Sequence, residues 1–120
     1  MKLVIIESPL AGDFEKNIRY ARYCMLDSLQ RGEAPYLSHL LYTQCLNDEL
    51  PGQRSMGIGA GLAWSKVAEL RAVYEDLGLT SGMQKALDKG GVLVERRKLP
   101  EDLWSRFCRG YEPNSTKSAT

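Results

Sequence analysis

The chain has 120 residues, of which 43% are hydrophobic and 26% are charged, and its formal net charge is +1. This length fits a single domain that buries a core of its own, and the near-neutral charge argues against binding to a DNA or RNA polymer through phosphate neutralisation. No apolar run approaches the roughly 20 residues that span a bilayer, so we expect a cytoplasmic protein that makes no membrane contact.

Cysteine and histidine usage favours neither a disulfide framework nor a metal centre. The 3 cysteines, Cys24, Cys45 and Cys108, are odd in number and form no C-x-x-C pair, which is typical of reduced thiols in a cytosolic protein. His39 is the only histidine, and a zinc site would need further histidine or cysteine ligands. We therefore expect no metal and no cofactor.

The N-terminal part of the chain predicts a strand, a helix and a second strand. Residues 3–6 form a short β-branched run typical of a buried strand, and Asp13 is well placed to cap the helix that follows. The core-facing stripe of this helix is predicted at Phe14, Ile18, Ala21, Met25 and Leu29. Gly32 ends the helix, and residues 34–37 form the second strand. Because one helix connects the two strands, they form a βαβ unit and run parallel.

The middle of the chain predicts a loop over residues 46–54 and a helix from about residue 55 to residue 70. One side of this helix carries Met56, Ala60, Ala63, Trp64 and Val67. It also contains Gly57, Gly59 and Gly61, each of which costs about 1 kcal/mol of helix stability relative to alanine. Two interpretations stay open: the helix frays or starts late, or another backbone, from a second subunit for example, approaches it closely.

The second half of the chain continues the alternation of apolar runs and amphipathic segments. We predict, in order, a strand at residues 72–74, a helix at 82–89, a strand at 92–95 and a helix at 100–108. Either Thr80 or Ser81 caps the first of these helices. The last residues are polar and rich in Ser and Thr, so we expect one domain over residues 1–111 and a disordered tail over 112–120.

Open α/β sheets bind ligands beyond the carboxyl ends of their strands. Three segments fall there, residues 7–13, 38–43 and 75–82. The first and the third lead into a helix N-terminus, whose free backbone N–H groups suit a phosphate or a sugar, although a plain strand-to-helix turn has the same features. Neither segment carries the P-loop or the dinucleotide-binding glycine pattern. His39, in the second segment, is either a packed core histidine or part of the site.

The same segments carry a family resemblance. In their order and spacing, residues 7–13 (ESPLAGD), 34–40 (APYLSHL) and 76–83 (DLGLTSGM) resemble the nucleoside 2-deoxyribosyltransferase-like superfamily, closest to its small uncharacterised members from bacteria and phages. The resemblance covers roughly residues 3–97. It implies a flavodoxin-like Rossmann variant of three layers with a parallel sheet of about four to five strands. It also implies homo-oligomers with sites near the subunit contacts, and ligands built on a ribosyl or deoxyribosyl unit.

The resemblance implies catalysis less strongly than binding. Active members of the superfamily cleave an N-glycosidic bond by attack of a glutamate at the start of the helix after the third strand. Gln84 stands at that position, and an amide cannot form the ester intermediate. The acidic residue expected a few positions earlier is replaced by Gly78 or Leu79.

Residues of these segments form the predicted ligand site. They are Glu7, Ser8, Pro9, Gly12, Asp13, His39, Asp76, Ser81, Gly82, Met83 and Gln84. Asp76 and its neighbour Glu75 are carboxylates that suit sugar hydroxyls or acid–base work, or else cap a turn. We favour a ligand role for at least one of these two.

Three functions stay open, in this order of preference. The first is a non-catalytic binder of a nucleotide- or nucleoside-derived ligand, such as a phage protein that sequesters a host defence signal. The second is a hydrolase or transferase acting on N-glycosidic bonds, with Glu75, Asp76 or Glu7 as the carboxylate. The third is an oligomeric interaction module, which uses the glycine-bearing helix and has no small-molecule ligand.

Overall fold

The computed structural model describes residues 1–115, so the part of the predicted tail at residues 116–120 lies outside the described residues. Helices and strands alternate along the chain. They are β1 (Leu3–Glu7), α1 (Phe14–Gln30), β2 (Ala34–Tyr36), α2 (Ser38–Leu41), a 3-10 turn (Tyr42–Gln44), α3 (Pro51–Ser65), β3 (Leu70–Tyr74), α4 (Ser81–Asp88), β4 (Val94–Arg97) and α5 (Glu101–Cys108). Among the described residues, no helix has the length and hydropathy needed to cross a membrane.

The strands form one 4-stranded parallel sheet in the order β2-β1-β3-β4. This confirms the predicted α/β fold with a parallel sheet. The order is that of the first strands of flavodoxin-like sheets, in which the chain changes direction between β1 and β3 and leaves a crevice at their carboxyl ends. The sheet therefore places its switch point beside the end of β1.

The hydrophobic core lies between one face of the sheet and the helices α1 and α5. Alternate strand residues point to the same face, and those facing this core include Val4 and Ile6 of β1 and Ala72 of β3. The helices contribute Tyr20, Ala21, Tyr23, Cys24, Leu103 and Phe107.

The buried side of α1 differs from the predicted stripe. Phe14 and Leu29 are 53% and 50% exposed, whereas Tyr20 and Tyr23 are fully buried. The predicted stripe was wrong at both ends, and it left out two tyrosines, which can be buried when their hydroxyl groups find partners. The Tyr23 hydroxyl, for example, donates a hydrogen bond to the Tyr111 carbonyl oxygen at 2.7 Å.

Helix α3 begins earlier than predicted, and its side chains are largely exposed or only partly buried. It starts at Pro51 instead of near residue 55, because the missing N–H of proline costs nothing in the first helical turn. It ends at Ser65, since β3 already begins at Leu70. None of its residues is fully buried, and Met56, predicted on its inner side, is 63% exposed.

The segment after α5 lies against α1 and α5. Arg22 of α1 forms an ion pair with Glu112 at 3.2 Å. Arg106 of α5 donates hydrogen bonds to the carbonyl oxygens of Pro113 and Ser115, both at 3.3 Å. These contacts hold residues 112–115, the described part of the predicted tail, on the surface of the domain.

Candidate ligand cleft at the end of the sheet

A cleft of about 500 Å³ lies over the face of the sheet that carries α3 and α4, and it reaches the carboxyl end of β1. Its lining comes from β1, β3, α3, α4 and the segment that follows β2. The segments after the first three strands thus contribute to one cavity, as expected for the edge where parallel strands end.

The floor of the cleft is a buried ion pair between β1 and β3. Strand residues alternate in direction, so Glu7 and Arg71 point away from the core formed by Ile6 and Ala72. The Arg71 guanidinium donates a hydrogen bond of 2.6 Å to Glu7 Oε1, and Arg71 is only 5% exposed. Burial raises the pKa of Glu7 above its ordinary value, while the positive charges of Arg71 and Lys89 act in the opposite direction.

His39 connects the segment after β2 to the turn after β1. Its Nε2 lies 3.1 Å from the Ser8 carbonyl oxygen, so Nε2 carries the proton and donates, which leaves Nδ1 as an acceptor. Burial lowers the pKa of His39, and the ring is therefore neutral at pH 7. His39 also lines the cleft, so the structure shows it packed at the border of the cavity, and its role in a ligand site stays a prediction.

The turn after β1 reaches the cleft through Glu7 and Leu10. The Asn17 side chain donates hydrogen bonds to the carbonyl oxygens of Leu10 and Ala11 at 3.1 and 2.9 Å, which fixes the shape of this turn. Gly12 has φ +99°, a conformation that favours glycine.

Four other residues predicted in this turn do not line the cleft. Asp13 caps α1, because its carboxylate accepts a hydrogen bond from the Lys16 backbone N–H at 3.2 Å, and this confirms the predicted cap. Gly12 is exposed beside it, and Pro9 is buried. Ser8 is 2% exposed, and its hydroxyl has no hydrogen-bond partner among residues 1–115.

One side of α4 forms a wall of the cleft. Gly82, Lys85, Ala86 and Lys89 line it, and their spacing places them on the same side of the helix and its C-terminal end. Thr80, one of the two predicted caps, begins α4 by accepting a hydrogen bond from the Met83 backbone N–H at 3.2 Å.

The other predicted residues of α4 point elsewhere. Met83 is buried, with 2% exposure. Ser81 and Gln84 are exposed, and the Gln84 amide donates a hydrogen bond to Asp88 at 3.0 Å. Of the four residues predicted in α4, only Gly82 therefore lines the cleft.

The carboxylates after β3 form hydrogen bonds and ion pairs within the protein. Asp76 accepts hydrogen bonds from the Tyr20 hydroxyl at 2.6 Å and from the Leu99 backbone N–H at 3.0 Å. Its neighbour Glu75 is paired with Arg96. Neither carboxylate lines the cleft, since Asp76 joins the end of β3 to α1 and to the segment before α5.

The cleft-lining side of α3 was missed by sequence reasoning. It consists of Arg54, Gly57, Ile58, Gly61, Leu62 and Ser65. The spacing of three and four residues was visible in the sequence, but it was read around Met56 and Trp64. Arg71 had a clearer signal, because a lone charge within an apolar strand is rare unless it is paired or functional.

Aromatic side chains connect α3 to the end of β2. The Tyr36 and Trp64 rings are stacked, with centroids 4.8 Å apart and an interplanar angle of 25°, and Tyr42 meets Tyr36 edge-on at 6.0 Å. Burial and the neighbouring Tyr42 hydroxyl raise the pKa of Tyr36. Both tyrosines line the cleft, so this end of the cavity is aromatic.

The cleft carries more positive than negative charge. Its cationic side chains are Arg54, Arg71, Lys85 and Lys89, and its acidic ones are Glu7 and Asp48. Of the cations, only Arg71 takes part in the ion pairs formed within residues 1–115. The excess of two positive charges makes the electrostatic potential in the cleft more favourable for an anion than for a cation.

A smaller cavity of about 300 Å³ lies on the other side of the molecule, between α1 and residues 113–114. Apart from Arg22, its side chains carry no charge, so it offers little chemistry. Within residues 1–115, no group of three His, Cys, Asp or Glu side chains is arranged to hold a metal ion.

The parallel sheet, its strand order and the polar cleft at its carboxyl edge define an open α/β protein with a Rossmann-like arrangement. Residues 2–95 match a family described as Domain of unknown function (DUF7768), and the chain belongs to this family. No curated protein and no solved structure showed significant similarity to the chain.

Proposed function

We propose that the cleft binds a nucleotide- or nucleoside-derived ligand and holds it without chemical turnover. The observation that carries this proposal is a positively charged cavity of about 500 Å³ that is lined by the end of β1, by Arg71 of β3 and by the helix that follows β3. Ligands of flavodoxin-like sheets bind at this switch point, and the volume lies within the range of small-molecule sites. The similarity to nucleoside 2-deoxyribosyltransferase-like proteins suggests the ribosyl unit.

The placement of the carboxylates favours binding over catalysis. Gln84 is directed along α4 to Asp88, and Asp76 is occupied by Tyr20 and Leu99. Glu7 does face the cleft, but Arg71 holds its carboxylate, and an ion pair lowers the reactivity of a nucleophile. A protein that binds without turnover would sequester its ligand, which is the behaviour that a phage protein directed against a host defence nucleotide requires.

Thermal unfolding against a panel of nucleosides, nucleoside phosphates and cyclic nucleotides tests this proposal. A ligand at a hundredfold excess over its dissociation constant stabilises the native state by about 2.7 kcal/mol, which raises Tm by several degrees. The bound compound is then released by denaturation and identified by chromatography. Intact ligand supports the proposal, a panel without any shift contradicts it, and released free base contradicts the absence of turnover.

A second candidate function is hydrolysis of an N-glycosidic bond with Glu7 as the catalytic carboxylate. The observation in its favour is the burial of Glu7 in the cleft, which raises its pKa, as is common for catalytic acids. Base release that is lost in Glu7→Gln and kept in Glu75→Gln would support this function. Equal rates in the wild type and in Glu7→Gln would exclude it.

We also propose that the protein is a homo-oligomer that pairs through α3. Residues 55–65 contain no charged side chain, and Met56 and Val67, beside the end of this helix, are 63% and 55% exposed. A surface of small and apolar residues can pair with an identical surface, and it is costly to leave in water. Native mass spectrometry reports the number of subunits and any retained ligand together. A monomer at micromolar concentration would contradict this proposal.

A further inference from the structure

The walls of the cleft differ in chemistry along the sheet. Tyr36 and Tyr42 lie at the end of β2, Glu7 at the end of β1, and Lys85 and Lys89 on the helix that follows β3. In the order of the strands that they end or follow, β2-β1-β3, we call these groups the aromatic end, the carboxylate and the cationic end.

The spacing of the strands gives the scale of this arrangement. Neighbouring strands lie about 4.8 Å apart, so the ends of β2 and β3 are separated by roughly 10 Å. The carboxylate of Glu7 lies between them. A ligand that contacts both ends therefore has to be elongated, with hydrogen-bond donors near its middle.

The cationic end consists of two lysines, of which Lys89 acts on Glu7 only through its charge. Within residues 1–115, neither Lys85 nor Lys89 takes part in an ion pair. On the same side of α4, a Cβ atom added at Gly82 would meet only Thr80 Oγ1, at 3.9 Å, so a ligand can approach the backbone closely. Two ammonium groups one helical turn apart, beside open backbone, suit a phosphate group.

The opposite wall has little net charge. The cleft-facing side of α3 carries one cation, Arg54, and the neighbouring segment carries one acid, Asp48. The same side of α3 also carries the apolar side chains of Ile58 and Leu62. This end suits a flat, uncharged ring system, which packs against aromatic and aliphatic groups.

We propose that the ligand is a nucleoside phosphate that lies across the sheet in a fixed direction. Its phosphate contacts Lys85 and Lys89, its sugar hydroxyls donate hydrogen bonds to Glu7, and its base packs near Tyr36 and Tyr42. This inference rests on the proposed function and adds to it the phosphate requirement and the orientation of the ligand. A free nucleoside leaves the lysines without a partner and binds more weakly.

Isothermal titration calorimetry with matched probes tests the inference. The probes are the four common ribonucleosides, their 5′- and 3′-monophosphates, ribose 5-phosphate and inorganic phosphate. For at least one base, we expect a monophosphate to bind at least tenfold more tightly than its nucleoside and than ribose 5-phosphate. The affinity falls as salt concentration rises, because the lysine–phosphate contacts are screened.

Two variants test whether the phosphate contacts Lys85 and Lys89, and a third variant is the control. Lys85→Gln and Lys89→Gln remove one charge each from the cleft, while Lys98→Gln removes the same charge from an exposed position outside it. We expect each cleft variant to weaken binding of the monophosphate about tenfold and to leave binding of the nucleoside nearly unchanged, as for a lost charge-assisted hydrogen bond. Lys98→Gln should bind like the wild type, and Tm without ligand should be the same in all three.

The outcomes separate this inference from the proposed function. Equal affinity for a nucleoside and its monophosphate, with no effect of either cleft variant, would overturn the phosphate requirement while the proposed function stands. Ribose 5-phosphate that binds as tightly as any nucleotide would overturn the assigned orientation. If no nucleoside, nucleotide or phosphate probe binds, both proposals fail.

Discussion

The two faces of the sheet are built from the same strands but are used differently. On the α1 and α5 face, Tyr20 and Tyr23 are fully buried and Phe107 packs against both rings. On the α3 and α4 face, no residue of α3 is fully buried and a cleft of about 500 Å³ remains open. The comparison indicates that the α1 and α5 face holds most of the buried core, whereas the α3 and α4 face carries the open cleft.

Hydrogen bonding shows the same contrast. On the α1 face, the Tyr74 hydroxyl donates to Asp27 at 2.6 Å, and Arg97 donates to Glu33 at 2.7 and 2.8 Å. Buried polar groups that find partners within the protein stabilise it. On the cleft face, Arg71 and Glu7 form an ion pair, but Lys85 and Lys89 take part in no ion pair within residues 1–115.

The largest expected effect comes from removing Arg97 on the α1 face. Its side chain is 2% exposed and contacts Glu33, Glu95 and Tyr74. Arg97→Ala should lower the free energy of unfolding by about 3–5 kcal/mol, because it leaves Glu33 without its guanidinium partner. Urea unfolding measures this change.

The neighbouring arginine provides the control for that variant. Arg96 is 59% exposed and pairs with Glu75, and exposed ion pairs contribute at most about 1 kcal/mol. Arg96→Ala should therefore unfold close to the wild type. If both variants lower the free energy of unfolding by the same amount, the buried contacts of Arg97 contribute no more to stability than the exposed ion pair of Arg96.

A smaller change on the same face separates stability from binding. Tyr20→Phe removes the hydroxyl that Asp76 accepts from at 2.6 Å, and it should lower the free energy of unfolding by about 1–3 kcal/mol. Nucleotide affinity should stay unchanged, because neither residue lines the cleft. A loss of affinity without a loss of stability would show that Asp76 serves the ligand, as the sequence alone suggested.

On the cleft side of the molecule, Gly59→Ala tests the proposed pairing of α3. A Cβ atom at Gly59 would meet nothing within 4 Å, so alanine should stabilise an isolated helix by about 1 kcal/mol. If a second copy covers this surface, the added methyl group should instead weaken the oligomer. Sedimentation velocity combined with Tm distinguishes the two results.

Gly52→Ala is the matched control for the α3 prediction. Gly52 also has open space around it and lies in the first turn of α3, away from the exposed centre of the helix. Gly52→Ala should therefore leave the association of the subunits unchanged. An equal effect of both substitutions on association would argue against α3 as the contact.

The smallest expected effect is a difference in pH dependence between the two faces. Hydrogen bonding to Arg97 lowers the pKa of Glu33, so its stabilising contribution is present above the unfolded-state pKa and is lost as pH falls through the folded-state pKa. Burial raises the pKa of Glu7, so its contribution is present at low pH and is lost as pH rises through the folded-state pKa.

Two isosteric variants measure these opposite slopes. Between about pH 3 and pH 7, the stability of the wild type should rise relative to Glu33→Gln and fall relative to Glu7→Gln. Urea unfolding at several pH values gives both differences. Slopes of the same sign would contradict the assigned electrostatics of one of the two faces.

Much of the fold could be predicted from the sequence, because local patterns decided it. The β-branched run in β1 and the single helix before β2 predicted parallel strands, which the sheet confirms. The caps Asp13 and Thr80 were predictable, since a cap binds a backbone N–H only three residues along the chain. The boundaries of the elements were the weaker part of the prediction, as the start of α3 at Pro51 shows.

The candidate site was predictable only in part. The rule that parallel strands end at one edge was enough to locate Glu7, His39 and Gly82, which all line the cleft. It could not show that Asp76 is directed to Tyr20, because the direction of that side chain depends on helices far along the chain.

The sequence by itself determined the class of the fold, the helix caps and the strand ends at which the cleft is reached, since these follow from short-range periodicity and from the parallel direction of the strands. The tertiary structure alone decided which side of each helix meets the cleft. That choice brought Lys85, Lys89 and Arg71 together, and it arises from packing between elements that are distant in sequence.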